Sequence, residues 1–173
     1  AAATSSALTF TIGQKTLSTT TPSIASRVYS PGVKTAGTVT LGTITGYVGS
    51  DAASVTVTPS ASDYDTATVG TRTSTISYLL SGDKGGNYTL ANSTNISGVI
   101  TKATPTYDRT AWAPSGIRMS TVLSSTQLIP VASNWSVPGT IVFTPALGTR
   151  LSAGLGQTLR VVFTPTDLVN YTT

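Results

Sequence analysis

Apolar and polar residues alternate along this chain in short runs, and the first run is Leu8-Thr9-Phe10-Thr11-Ile12. A period of two puts Leu8, Phe10 and Ile12 on one face, as in a half-buried β-strand. Gly13-Gln14 breaks that run, and Lys15 to Thr20 reads as the first strand of a domain. Ile24 to Tyr29 follows, and Ser30-Pro31-Gly32 is a turn, because Pro presets φ and Gly tolerates positive φ. Val39 and Leu41 alternate with threonines, and a change of phase at Ile44 between Gly42 and Gly46 predicts a bend or bulge. Val55 and Val57 form a further strand that Pro59 is expected to end. Asp63 to Thr68 reads as a short polar strand or turn. From Arg72 the pattern sets Ile76, Tyr78 and Leu80 on one face, and a β-branched run through Ile96, Val99 and Ile100 closes the domain near Lys102.

The same ending occurs twice. Asn87-Tyr88-Thr89 follows Ile76, Tyr78 and Leu80, and Asn170-Tyr171-Thr172 follows Leu159, Val161 and Phe163. A closing strand comes after the first copy, whereas the second stands at the end of the sequence. The unassigned strand, Leu8 to Ile12, lies at the other end. Between the copies, Lys102-Ala103-Thr104-Pro105 is a short link that restricts how two domains are held. Beyond it come Tyr107 to Trp112, a turn at Ala113-Pro114-Ser115-Gly116, Leu123 and Leu128. Val137-Pro138-Gly139 then turns into Ile141-Val142-Phe143. The glycine-punctuated stretch before Leu159 reads as loop. No helical period is long enough to defend. The expected fold is all-β, two small sandwiches in tandem. Residues 1–13 would be a strand completing a neighbouring domain, residues 14–103 the first sandwich, and 104–173 a second that lacks its closing strand.

Composition supports strands and removes most chemistry. The chain has 173 residues, with 9% charged and 7% aromatic side chains and no Cys or His. Its six acidic residues are all Asp. Without imidazole or thiolate there is no usual triad and no such ligand for zinc, so no enzyme and no cofactor are expected. Asp63 and Asp65 share a strand face, but such a pair is far more often solvated turn chemistry than a catalytic dyad. Asp83, within Gly82-Asp83-Lys84-Gly85-Gly86, is expected to cap a turn. A crosslink between Lys15 and an Asn of a last strand would need an Asp to shuttle protons. The formal charge of +4 comes from basic residues spread singly, which argues against nucleic acid as a partner. No stretch has the length or apolarity to insert in a membrane. Of the larger aromatic side chains, Tyr47, Tyr107 and Trp112 read as core. Trp135, between Asn134 and Ser136, is the candidate for exposure and for contact with a sugar ring. Asn87, Asn92, Asn95, Asn134 and Asn170 lie in N-glycosylation sequons, which arise easily by chance in so Thr-rich a chain. Asn87 and Asn170 are expected to stay bare.

From Lys15 to Ala103 the sequence resembles the YDG-type repeat of large bacterial surface proteins. The matching parts are Arg27-Val28-Tyr29, the strand through Val55 and Val57, Leu80-Ser81-Gly82-Asp83 leading to Gly86-Asn87-Tyr88, and Ile100-Thr101-Lys102-Ala103. The family's Tyr-Asp-Gly stands here as Tyr29-Ser30-Pro31-Gly32. Pro105 to Thr173 is similar to a bacterial Ig-like repeat through Leu123-Ser124-Ser125-Thr126-Gln127-Leu128, Val137-Pro138-Gly139-Thr140, Phe143-Thr144-Pro145 and Phe163-Thr164-Pro165-Thr166-Asp167. The resemblance implies Ig-like sandwiches in tandem, secreted or on a bacterial cell surface, serving as spacers or adhesin stalks.

In such arrays a strand like Leu8-Phe10-Ile12 follows the Asn-Tyr-Thr of the Ig-like repeat. The expected function is therefore a structural unit of an extracellular fibre or adhesin stalk, its copies joined head to tail by that strand. The acceptor would be a groove beside Leu159, Val161, Phe163 and Tyr171, on a separate subunit or on the adjacent repeat of one longer chain. The competing expectation is a module that binds glycans or a host surface through Trp135.

Overall fold

The computed structural model describes residues 8–108, 114–128 and 134–173. These residues are all-β, with two short 3-10 turns and no α-helix among them. They divide into two units. One runs to Arg27 and resumes from Gly32 to Ile100, and the other takes Val28–Pro31 together with Thr101–Thr173.

The first unit is built from β1 (Lys15–Thr19), β2 (Ser23–Ile24), β3 (Arg27–Val28), β4 (Val39–Thr40), β5 (Ile44–Thr45), β6 (Thr56–Ala61), β7 (Gly70–Ser81), β8 (Tyr88–Leu90) and β9 (Ser93–Thr101). One sheet has the order β5-β1-β8, a second β3-β9-β7-β6, and β2 pairs with β4. β1 runs antiparallel to β5 and parallel to β8, with Lys15 opposite Tyr88 and Leu17 opposite Leu90. β7 is the long strand, and its two halves have different partners. Ile76 to Ser81 pair with β6, while Gly70 to Ile76 pair with β9. The register shifts between Ser74 and Ile76. Asn95 on β9 takes a left-handed φ of 57° there, as the extra residue of a bulge does.

Alternation dictates what each strand buries. On β7 Ser74 and Ile76 point inward, and on β9 Ile96, Gly98 and Ile100 do so. Ile24, Ile76 and Ile96 form the core cluster, with Val39, Ala61 and Tyr78 packed on it. Gly98 is required by close approach, because a Cβ there would lie 2.0 Å from the hydroxyl of the buried Tyr64.

The second unit contains β10 (Gly139–Thr144) and β11 (Arg160–Pro165), antiparallel with Gly139 opposite Pro165 and Thr144 opposite Arg160. Isolated bridges join Ala103 to Tyr171 in parallel and Tyr107 to Trp135 in antiparallel fashion. A third links Val122 to Arg150. Leu123, Leu128 and Phe163 are buried among its described residues.

Two sequence expectations change. β6 continues through Pro59 to Ala61, since β6 is the edge strand of its sheet and a missing N–H is tolerated there. The run from Ile24 to Tyr29 is not one strand, because β2 and β3 join different sheets. Leu8 to Ile12 has the alternation of a strand but forms none within its own chain.

Candidate functional site

The N-terminal segment presents an alternating apolar run that forms no strand. Leu8, Phe10 and Ile12 are 94%, 84% and 84% exposed. No β-pairing involves residues 8–14. Its one described tie is a hydrogen bond of 2.8 Å from the Gln14 side chain to the Gly86 carbonyl. Leaving three such side chains in water forfeits the burial that normally justifies a strand of this pattern.

The second unit holds a cleft of about 370 Å³ between two stretches of chain, Pro114 to Met119 and Leu151 to Leu159. Ile117, Met119, Leu123, Leu151, Leu155 and Leu159 supply its apolar lining, with Arg118 and Gln127 the polar side chains of note. Leu155 is fully exposed and Met119 is 73% exposed. Residues 151–159 form no strand, although β11 begins directly after them.

The structure treats the four expected groove residues differently. Leu159 lines the cleft. Val161 is half-buried. Phe163 is buried and stacks on Trp135, with ring centroids 4.0 Å apart and planes 7° from parallel. Tyr171 is half-buried and meets Tyr29 edge-on at 5.4 Å. Trp135 itself is half-buried rather than standing free, and Tyr107 lies 4.9 Å away on ring centroids. Aromatic side chains bury the most area when they stack, so the indole lies against Phe163. Trp112 lies outside the described residues.

Sequence reasoning missed Leu151, Leu155, Ile117 and Met119. Leu151, Leu155 and Leu159 do share one strand face by their spacing, but Gly154 and Gly156 made the stretch read as loop.

The turn before Tyr171 is held by Asp167. Its carboxylate accepts hydrogen bonds from the backbone N–H of Val169 at 3.1 Å and Asn170 at 3.0 Å, and from the Asn170 side-chain amide at 2.7 Å. These bonds, those of Asn170 foremost, hold the Asp167 carboxyl below its ordinary pKa against the opposing effect of burial, with a smaller contribution from the Lys102 charge. Lys102 donates to the Leu168 carbonyl at 2.6 Å. Ala103 then donates to the Asn170 carbonyl, and its own carbonyl accepts from Thr172 N–H at 2.9 Å. In the first unit the equivalent Tyr88 is buried, donates to Asp51 at 2.7 Å and accepts from Val48 N–H at 3.0 Å. Burial first, then Asp51, pushes its phenol up, partly opposed by the Val48 bond.

Residues 13–97 match the family model of the YDG domain. The match covers just under half of the chain and spans the first unit from β1 into β9. No curated protein and no solved structure matches the chain.

Proposed function

We propose that this protein is a structural unit of an extracellular bacterial fibre or adhesin stalk, whose copies join head to tail when the Leu8–Ile12 strand of one enters the second unit of the next. The observation that carries this reading is the coexistence of a solvent-exposed, alternating apolar segment and an open apolar cleft in one chain. Each satisfies what the other lacks, since strand addition covers apolar side chains and pairs backbone groups at once. Burying a Leu, Phe or Ile side chain is worth roughly 1.5–3 kcal/mol. Ordering each residue costs about 1–2 kcal/mol, so the side chains and the backbone ladder must act together. A contact between two different surfaces does not close on itself and propagates as a fibre. The match to the YDG domain favours a surface setting through the tandem repeats that the sequence resembles, and both units read as Ig-like sandwiches on this view. Glycan binding through Trp135 gains nothing from a ring stacked on Phe163.

The test is electron microscopy and size-exclusion chromatography of the 173-residue chain beside a Phe10→Asp variant. Filaments from the first and monomers from the second are expected. Equal behaviour of both as stable monomers would remove the joint from the proposal.

A further inference from the structure

The first unit contains a strand with no counterpart among the described residues of the second unit. In the first unit β9 lies between β3 and the N-terminal half of β7. The second unit repeats the surrounding plan. The spacing from Leu80 to Tyr88 equals that from Phe163 to Tyr171, and both tyrosines pair in parallel with the first extended segment of their unit, at Lys15 and at Ala103. That segment pairs antiparallel on its other side in both units, Thr19 with Ile44 and Tyr107 with Trp135. With Leu80 matched to Phe163, the β10–β11 ladder from Gly139–Pro165 to Thr144–Arg160 falls on the counterparts of Ser77 to Gly82, which is the β6 half of β7 (Ile76 to Ser81) displaced by one residue. The half of β7 that pairs with β9 corresponds to residues 153–159, which are not strand.

The cleft walls fit the same scheme. With Lys15 matched to Ala103, β3 corresponds to residues 115–116. The cleft therefore lies between the counterparts of the two strands that flank β9. The donor has the matching geometry. From Ile100, the last buried residue of β9, to Ala103 is the same distance in sequence as from Ile12 to Lys15. Leu8, Phe10 and Ile12 thus stand where Ile96, Gly98 and Ile100 stand, the inward positions of β9.

We infer, resting on the strand-donation reading, that residues 8–12 of a second copy pair antiparallel with residues 153–157 in one register, and that this pairing is what turns residues 153–159 into strand. The β7–β9 register (Ser74 opposite Ile96, Arg72 opposite Gly98, Gly70 opposite Ile100) carries over as Leu8 opposite Gln157, Phe10 opposite Leu155 and Ile12 opposite Ala153. Phe10 then meets the most exposed leucine of the cleft. β11 grows N-terminally into the counterpart of the whole of β7. The acceptor is only half folded before the donor arrives, so the joint orders both partners together.

The chain has no cysteine, which makes the register directly readable. Facing residues of an antiparallel pair have Cα atoms about 4.5–5.5 Å apart, within disulfide range. Full-length Phe10→Cys and Leu155→Cys variants, mixed and oxidised, should give a crosslinked heterodimer, whereas Thr11→Cys with Leu155→Cys should not. Hydrogen exchange of residues 153–159 should slow by about tenfold or more in assembled wild type relative to Phe10→Asp, as expected when open backbone enters a ladder. Assembly without that protection, or with crosslinking of the Thr11 pair instead, would overturn the register and the coupled folding while leaving strand donation standing. Absence of any assembly by the wild-type chain, even with an added peptide of residues 6–14 showing no binding, would overturn both.

Discussion

Gly98 and Asp167 show how single residues hold the two units. The Gly98 Cα faces the Tyr64 hydroxyl so closely that Gly98→Ala places a methyl on it. Overpacking of this kind costs about 1–3 kcal/mol, and Tyr64→Phe in the same chain should recover part of that loss in a urea titration. Asp167 acts through charge. Because its folded-state pKa lies below the ordinary 3.8, its contribution to stability is present above that value and disappears as pH falls through the lower folded value. Asp167→Asn should therefore melt below wild type at neutral pH. The gap should narrow from about pH 4 downward, measured as Tm against pH. Trp135 gives the contrasting lesson. Flanking Asn134 and Ser136 suggested exposure, but neighbours in sequence do not report that Phe163 lies within stacking distance.

Among the elements, β7 organises the first unit, because its two halves recruit β6 and β9 and its Ile76 side chain is wholly buried. Ile76→Ala leaves a cavity against Ile24 and Ile96 and should cost about 2–5 kcal/mol by denaturant unfolding. Its alternation was legible, as was that of β10 and β11, and β9 showed in its β-branched run and β1 in its place after the Gly13-Gln14 break. The short pieces were not. β2 and β3 read as one strand because periodicity is blind to a change of sheet, and β6 seemed to end at Pro59 because edge position is a property of the sheet. Residues 151–159 read as loop because of Gly154 and Gly156, and they form no strand in the structure.

For the molecule as a whole, the notable pairing is an exposed apolar N-terminal segment and an apolar cleft. Neither Leu8 to Gln14 nor Leu151 to Leu159 carries a charged side chain, and Arg118 is the charged residue lining the cleft. Assembly by the proposed strand donation should therefore resist salt. Raising NaCl from about 0.1 M to about 1 M shortens the screening length from about 10 Å to about 3 Å. The assembled fraction, read by light scattering, should hold or rise. A steep fall would mean that charges, rather than Leu8, Phe10 and Ile12, hold the copies together.

The chain by itself determined that it would be all-β, that Asn-Tyr-Thr recurs in both halves, and that Leu8, Phe10 and Ile12 fall on one face of an extended run. Those are consequences of alternation, turn chemistry and repeated spacing, which are local in sequence. Which apolar side chains are already covered was decided by tertiary structure. Trp135 stacks on Phe163 and Tyr29 meets Tyr171, while Leu151, Leu155 and Leu159 line the cleft. A strand face is written in the order of residues, but which of its faces is still open depends on side chains brought there from distant parts of the chain.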